Sequence, residues 1–209
     1  MIDFYTWTTP NGYKISIMLE EVGLPYTAHA IDIGKDDQFD PEFLKISPNN
    51  KIPAIVDHGT GTTMMESGAI LLYLAEKTGQ LMPTAKEARW QVIEWLMWQM
   101  GGIGPFLGQV HHFVRFNKGK SAYAEERYLN EAHRLYGVLD RRLADHEYLA
   151  RDYSIADIAT WPWISRFEWQ TIDMNAYPNV KRWYTAIAGR PAVERGYGVP
   201  MAVGGVPMP

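Results

Sequence analysis

The amino-acid sequence predicts an α/β module with a four-stranded sheet in residues 1–78, followed by an all-helical module in residues 85–209. Strand and helix patterns alternate in the first part, and only helical spacing follows it. The charge balance changes at the same place: residues 1–80 hold 5 Lys/Arg and 11 Asp/Glu, whereas the remainder holds 15 and 13. We therefore expect a linker at residues 78–84.

The first module is predicted to have the order β-α-β-α-β-β-α. Alternating apolar residues indicate strands, and apolar residues three and four apart indicate helices. The expected strands are 2–5, 26–33, 52–57 and 62–65, and the expected helices are 12–23, 41–46 and 66–79. Such an order favours a sheet with helices on its faces.

Helical spacing in the second module predicts long helices at 85–100, 123–143, 154–170 and 177–187. Three glycines and a proline within residues 101–105 predict a kink or break after the first of them. Most tryptophans are expected in the helical core, as large aromatic side chains usually are: Trp90, Trp95, Trp98, Trp161, Trp163, Trp169 and Trp183.

Composition excludes several classes of chemistry. The chain has no cysteine, so it has no disulfide framework, zinc–thiolate site or thiol nucleophile of its own. Its net charge of -4 argues against a nucleic-acid partner. We see no basic leader with a long apolar stretch, and the uncharged segment 96–114 is too polar to span a bilayer. A cytoplasmic protein without a membrane partner is expected.

Three short segments of the first module are candidates for a site. "TTPNG" (8–12) is either a turn or a ligand cradle at a helix start. "NNKIPAI" (49–55) places a proline at a strand entrance, where a cis bond would turn the Ile52 backbone towards a peptide-like ligand; a plain strand-initiating proline is the alternative. "ESGAI" (66–70) opens a helix and suits either ordinary capping or a bound carboxylate.

Together with "SPNNKIPAIVD", "ESGAILLYLAEKTG" and "YSIADIA", these segments resemble the cytosolic glutathione transferases over residues 1–190. The finer pattern, which includes "TPNG", "GGxGPxxGQxHHF" and "ERY", is similar to the Nu-class bacterial members, which are glutathione-dependent disulfide-bond reductases. The resemblance implies a thioredoxin-like glutathione-binding domain, an all-α helical-bundle C-terminal domain and a homodimer.

The resemblance also implies roles for individual residues. Thr9 and Asn11 would lie at the glutathione sulfur as the catalytic pair. The implied binding residues are Gln38, Lys51, Ile52, Pro53, Glu66, Ser67 and Arg127. Of these, Glu66 and Ser67 would hold the γ-glutamyl end, the Ile52 backbone would pair with the cysteinyl part, and Lys51 would face the glycyl carboxylate.

The physical chemistry of Thr9 and Asn11 agrees with that role. A free thiol has a pKa of about 8.5, so only a few per cent is thiolate at neutral pH. Hydrogen-bond donors at the positive end of a helix favour the anion and lower that pKa. Neither residue is a base, so stabilisation would come from hydrogen bonding alone.

The expected activity is glutathione-dependent reduction of a small-molecule or peptide disulfide, with glutathione as cosubstrate and no metal. Conjugation of glutathione to an electrophile, or peroxidase activity, is the first alternative. A non-enzymatic binding protein that retains the fold is the second.

Several other polar residues are expected to have structural and not catalytic roles. Tyr5 is expected to pack rather than to replace Thr9. His111 and His112 point about 100° apart on a helix, which favours pocket lining or helix surface over a metal site. Ser154 and Asp157 fit a capping box, so we expect loss of Asp157 to cost about 1 kcal/mol of stability.

Overall fold

The computed structural model describes residues 1–209 and contains one four-stranded sheet. The strands are β1 (Ile2–Thr6), β2 (Tyr26–Ala30), β3 (Ala54–Asp57) and β4 (Thr62–Met65). Their spatial order is β2-β1-β3-β4, with β1 parallel to β2 and both other pairs antiparallel. The predicted order of elements and the fold class are confirmed.

Nine α-helices accompany the sheet. They are α1 (Pro10–Val22), α2 (Pro41–Ile46), α3 (Ser67–Thr78), α4 (Lys86–Trp98), α5 (Gly104–Val110), α6 (Ala122–Ala144), α7 (Ile155–Ile164), α8 (Pro178–Ala188) and α9 (Pro191–Tyr197). None of them is long and apolar enough to cross a membrane.

The chain forms two compact units by its internal contacts. The first comprises Met1–Gln80 and Gly189–Val206, and the second comprises Leu81–Ala188 and Pro207–Pro209. This division differs from the expected one after residue 188, because α9 packs along α1 and thereby joins the α/β unit.

The contact between α1 and α9 is unusually close. The Ser16 hydroxyl donates to the carbonyl of Gly196 at 2.7 Å, and a Cβ on Gly196 would lie 2.7 Å from the amide nitrogen of Ile17. Tyr13 and Tyr197 stack with ring centroids 4.3 Å apart. A side chain at residue 196 would therefore push the two helices apart.

The second unit is a helical bundle whose core includes fully buried Trp161 and Trp183. Its α7 begins with the predicted capping box, in which Ser154 and Asp157 exchange side-chain and backbone hydrogen bonds. Trp90 departs from expectation: 60% of it is exposed on α4, so its assignment to the core is wrong. Its position leaves an apolar face on that helix.

The glycine-rich segment after α4 does not break the helix. A π-helical turn, Gln99–Ile103, carries the chain directly into α5, and a second one, His111–Phe116, follows α5. In a π turn each hydrogen bond spans five residues instead of four, so the helix continues through the irregular segment. The predicted irregularity after α4 is therefore present, but it is a π-helical turn and not a break.

Candidate active site

The candidate segments of the first unit meet at one end of the sheet. In the strand register, Tyr5 pairs with Ala54, and Ala54 pairs with Met65. The chain leaving β1, the chain entering β3 and the chain leaving β4 therefore emerge side by side. Strand pairing alone thus brings together the segments that contain Thr9, Ile52 and Glu66.

Thr9 caps the N-terminus of α1. Its backbone is extended, and its hydroxyl oxygen accepts a hydrogen bond from the amide of Gly12 at 3.2 Å. Pro10 and Asn11 already belong to the helix, so "TTPNG" starts a helix rather than forming a separate turn. The first turn carries no acidic residue, so the chain does not neutralise this positive helix end with a carboxylate.

Gly12 allows α1 to start close to the end of β1. A Cβ at this position would overlap the carbonyl oxygen of Trp7 and would lie 2.5 Å from the Thr6 hydroxyl oxygen. Only glycine therefore lets α1 begin this close to the end of β1.

The segment before β3 leaves one residue, Ile52, with free backbone groups. The Ile52–Pro53 bond is cis, and the Ser47 hydroxyl donates to the carbonyl of Lys51 at 2.7 Å. Neither the amide nor the carbonyl of Ile52 is hydrogen-bonded within the chain. A half-buried residue with both backbone groups available can pair with an extended peptide, as an added strand does.

The N-terminus of α3 lacks a side-chain cap. Glu66 occupies the cap position with φ 72° and ψ 110°, and its carboxylate makes no capping hydrogen bond. Such a backbone costs a residue other than glycine about 1–3 kcal/mol, and strain of this kind concentrates at functional sites. No acidic residue lies in the first turn, so the helix end can receive a carboxylate from a ligand.

Lys14 lies beneath this helix end and was not predicted. Its side chain is 1% exposed, and its Nζ donates to the Ser67 hydroxyl oxygen at 3.1 Å. Burial lowers the pKa of Lys14 to about 7, and the charge of Glu66 partly opposes the lowering. The one sequence signal was its spacing: Lys14 stands four residues before Met18, on the apolar face of α1.

Three further predicted residues have other surroundings. Gln38 follows β2 in a 3₁₀ turn, and its Nε2 donates to the Asp36 carboxylate at 3.3 Å. Lys51 is exposed. Arg127 belongs to the second unit, where it lies on the exposed side of α6 and lines a small cavity with Tyr128.

Tyr5 and His111 each stack on a neighbouring ring. Tyr5 stacks on His29 with ring centroids 4.8 Å apart, as a packing residue does. His111 is buried against Trp163, and its Nε2 is 3.1 Å from Nε2 of Gln170, so the helix-surface alternative is wrong for this residue. Burial lowers the pKa of His111 to about 4.

No cluster of three or more His, Cys, Asp or Glu side chains in the chain could hold a metal ion.

Two family models define the class of protein. Residues 9–77 match the family model for the glutathione S-transferase N-terminal domain, and residues 102–191 match that for the C-terminal domain. The chain belongs to the glutathione S-transferase family.

Three similar proteins are of particular interest. The chain is 52% identical over 198 residues to the disulfide-bond oxidoreductase YfcG of Escherichia coli, covering 92% of each chain. It is 42% identical over 212 residues to YghU of the same organism, covering 93% of this chain and 73% of that one. A glutathione transferase from Pseudomonas putida, crystallised with one glutathione disulfide per subunit, superposes with a TM-score of 0.90 at 45% identity, covering 95% of this chain and 91% of that one.

Proposed function

We propose that this protein is a glutathione-dependent disulfide reductase whose reacting sulfur belongs to bound glutathione. One observation carries the proposal: the N-terminus of α1 is capped by the Thr9 hydroxyl and has no carboxylate in its first turn, in a chain without cysteine. The relatives named disulfide-bond oxidoreductases, and the glutathione disulfide in the Pseudomonas putida structure, support the same activity.

Thr9 and Asn11 act on the thiolate. The Thr9 oxygen accepts from the Gly12 amide and keeps its own proton, which it donates to the sulfur. Asn11, in the same first turn, supplies an amide donor. These donors and the helix dipole stabilise the anion, so a larger fraction of glutathione is nucleophilic at neutral pH.

Binding of the tripeptide uses the other two segments. The Ile52 backbone pairs with the cysteinyl residue, and the start of α3 at Glu66 and Ser67 receives the γ-glutamyl carboxylate. Gln38, Lys51 and Arg127 complete the proposed set of contacts, with Lys51 at the glycyl carboxylate.

The reaction proceeds by two thiol–disulfide exchanges. The bound glutathione thiolate attacks one sulfur of the substrate disulfide, which forms a glutathione–substrate mixed disulfide and releases the other half as a thiolate. A second glutathione thiolate attacks the glutathione sulfur of this mixed disulfide, so glutathione disulfide and the second substrate thiol are the products. Two glutathiones lose two electrons and one disulfide gains them. The released thiolates take up the protons that the glutathione thiols lost.

Turnover of two substrates tests the proposal. We expect the protein to reduce bis(2-hydroxyethyl) disulfide with glutathione much faster than it conjugates an aryl chloride. Thr9→Ala and Asn11→Ala should each lower kcat/KM for the disulfide by about tenfold or more, because each removes a donor to the sulfur. Thr8→Ala, which removes the neighbouring hydroxyl, is the matched control.

Two results would overturn the assignment. Faster conjugation than reduction would make the protein a transferase of the conjugating kind. Absence of glutathione or glutathione disulfide binding by calorimetry would favour a non-enzymatic binding protein.

The homodimer is also part of the proposal. Trp90 and Met97 stand seven residues apart on α4, on one face of the helix, and are 60% and 48% exposed. Large apolar side chains exposed on one helix face are typical of an interface. We expect a dimer by sedimentation and a monomer after Trp90→Glu. We also place the reaction in the cytoplasm, where glutathione is kept reduced.

A further inference from the structure

The buried ammonium of Lys14 needs a physical explanation. Moving a charged side chain from water into a protein interior costs several kcal/mol unless polar partners compensate it. Nζ of Lys14 donates to Ser67 Oγ at 3.1 Å, and these side chains are 1% and 3% exposed. A neutral side chain could donate the same hydrogen bond to Ser67 at a lower cost, so that hydrogen bond alone does not account for a lysine here.

The position of the Lys14 ammonium is also electrostatically unfavourable. Ser67 is the first residue of α3, so the ammonium lies at the positive end of that helix, where a cation is disfavoured. The first turn of α3 contains no acid that would offset it. A cation and a helix N-terminus placed together both attract an anion.

The charged groups near α1 offset the charge of Lys14 only in part. Glu66 stabilises the charged form of Lys14, but its carboxylate is exposed and makes no cap to α3. Two arginines pair with the acids at the other end of α1: Arg190, just before α9, with Glu21, and Arg195 of α9 with Glu20. Those acids lie six and seven residues beyond Lys14, about 10 Å along the helix.

The hydrogen bond also orients the Ser67 hydroxyl. A hydroxyl has one proton, and an oxygen that accepts from an ammonium donates that proton in another direction. Lys14 therefore makes Ser67 a donor, and the donated hydrogen bond is strengthened by the charge behind it.

We propose that Lys14 is a positioning residue for the γ-glutamyl α-carboxylate of glutathione: it acts through Ser67, whose hydroxyl it orients, and it supplies the buried positive charge behind the start of α3. This inference rests on the proposed function, because it assumes that glutathione binds at that helix end. Since burial lowers the pKa of Lys14 to about 7 in the free protein, a carboxylate arriving beside Ser67 raises that pKa again. Binding then takes up protons near neutral pH.

The test compares two ligands that differ by one carboxylate. Glutathione and 4-aminobutanoyl-cysteinylglycine share the thiol, the amine and the glycyl end, but the second lacks the γ-glutamyl α-carboxylate. In Lys14→Met we expect the Kd for glutathione to rise by about tenfold or more, and the Kd for the analogue to change by less than about twofold. At saturating glutathione, kcat should stay within about threefold of wild type, because the thiolate site is unchanged.

A double-mutant cycle tests whether Lys14 acts through Ser67. In a Ser67→Ala background, Lys14→Met should weaken glutathione binding by less than about threefold. Lys45→Met removes an exposed lysine of the same unit and should leave both Kd values unchanged. Equal weakening of both ligands in Lys14→Met, or additive effects in the cycle, would assign Lys14 a purely structural role.

A measurement on the wild-type protein covers the case in which Lys14→Met does not fold. Calorimetry in buffers of different ionisation enthalpy gives the protons taken up on binding. At about pH 7.5 glutathione should bind with more proton uptake than the analogue. Equal uptake would overturn the inference while leaving the proposed function intact, whereas failure of wild type to bind glutathione would remove the proposed function itself.

Discussion

The N-termini of α3 and α7 solve the same problem in opposite ways. At α7 the chain supplies its own anion: Asp157 is fully buried and accepts hydrogen bonds from the amides of Leu149 and Ser154, both at 3.0 Å. At α3 the N-cap residue Glu66 makes no capping hydrogen bond, and the buried group beside the first helical residue is the cation Lys14. The chain supplies an anion at the start of α7, and we propose that a ligand supplies it at the start of α3.

The group at the start of α7 should affect the stability of the fold, whereas the group at the start of α3 should affect ligand binding. A buried carboxylate at a helix N-terminus satisfies both the dipole and the free amides, so it stabilises the folded state without any ligand. A buried cation at the N-terminus of a helix destabilises the folded state until an anion binds beside it. Substitutions at the two helix ends should therefore affect different measurements.

The largest effect is expected at Asp157. Asp157→Ala leaves two backbone amides and the Trp183 indole N–H, 2.8 Å from Asp157 Oδ1, without their acceptor. Because these donors are buried, we expect a loss of about 3 kcal/mol in the free energy of unfolding by urea, more than the 1 kcal/mol of ordinary capping. Asp173→Ala, which removes an exposed cap in the same unit, should cost less than about 1 kcal/mol.

This substitution should leave glutathione affinity unchanged, because the contacts of Asp157 lie within the second unit. A large change in the Kd for glutathione in correctly folded Asp157→Ala would remove the distinction between the two helix ends.

The next effect is a pH dependence that arises from Lys14. Its pKa of about 7 in the folded state is below the ordinary lysine value, so the unfolded chain binds more protons between about pH 7 and pH 10. Stability therefore rises with pH in that window and is lost as pH falls through 7. From about pH 7 to pH 9 the unfolding free energy of wild type should gain about 2 kcal/mol relative to Lys14→Met. Parallel pH profiles would contradict a buried, neutralisable lysine.

Ser67→Ala should show the reverse pattern to Asp157→Ala. Loss of one donor to the γ-glutamyl carboxylate should raise the Kd for glutathione by about tenfold, which corresponds to about 1.4 kcal/mol. The free energy of unfolding should fall by about 1 kcal/mol or less, since Lys14 can lose its proton when its acceptor is removed. Thermal melting and calorimetry on one preparation give both values, and a stability loss larger than the binding loss would contradict the assignment.

The smallest effect concerns the backbone of Glu66. At φ 72° glycine avoids the steric cost of a side chain, but it loses more backbone entropy on folding. Glu66→Gly should therefore raise the free energy of unfolding by only about 0.5 kcal/mol. Thr171→Gly, at φ 58° in the second unit, is the matched control. We expect both variants to gain stability, and only Glu66→Gly to lose glutathione affinity. Unchanged affinity in both would mean that the backbone at residue 66 is not held for a ligand.

The two helix ends also differ in how far the sequence reveals them. The capping box was predicted because Ser154 and Asp157 stand three residues apart, a spacing that helical geometry brings together. Lys14 and Ser67 are 53 residues apart and meet only when α1 packs on α3. Propensity and periodicity describe local geometry, so a pair of this kind becomes visible only in the folded chain.

The C-terminal segment gives a second example. Residues 189–206 carry a short helix without a long apolar pattern, and the sequence assigned them to the helical module. Their place on α1 depends on the close approach at Gly196 and on the ion pair of Arg190 with Glu21, whose atoms are 2.6 Å apart. A glycine selected for a contact distance looks no different in sequence from a glycine in a turn.

Titration of bound glutathione measures the proposed stabilisation of its thiolate. Thiolate absorbance of the wild-type complex, followed against pH, should give a thiol pKa at least about one unit below its value of about 8.5 in buffer. Asn11→Ala should move that pKa back towards the free value. A thiol that titrates in the wild-type complex as it does in buffer would contradict the claim that the start of α1 holds glutathione as its anion.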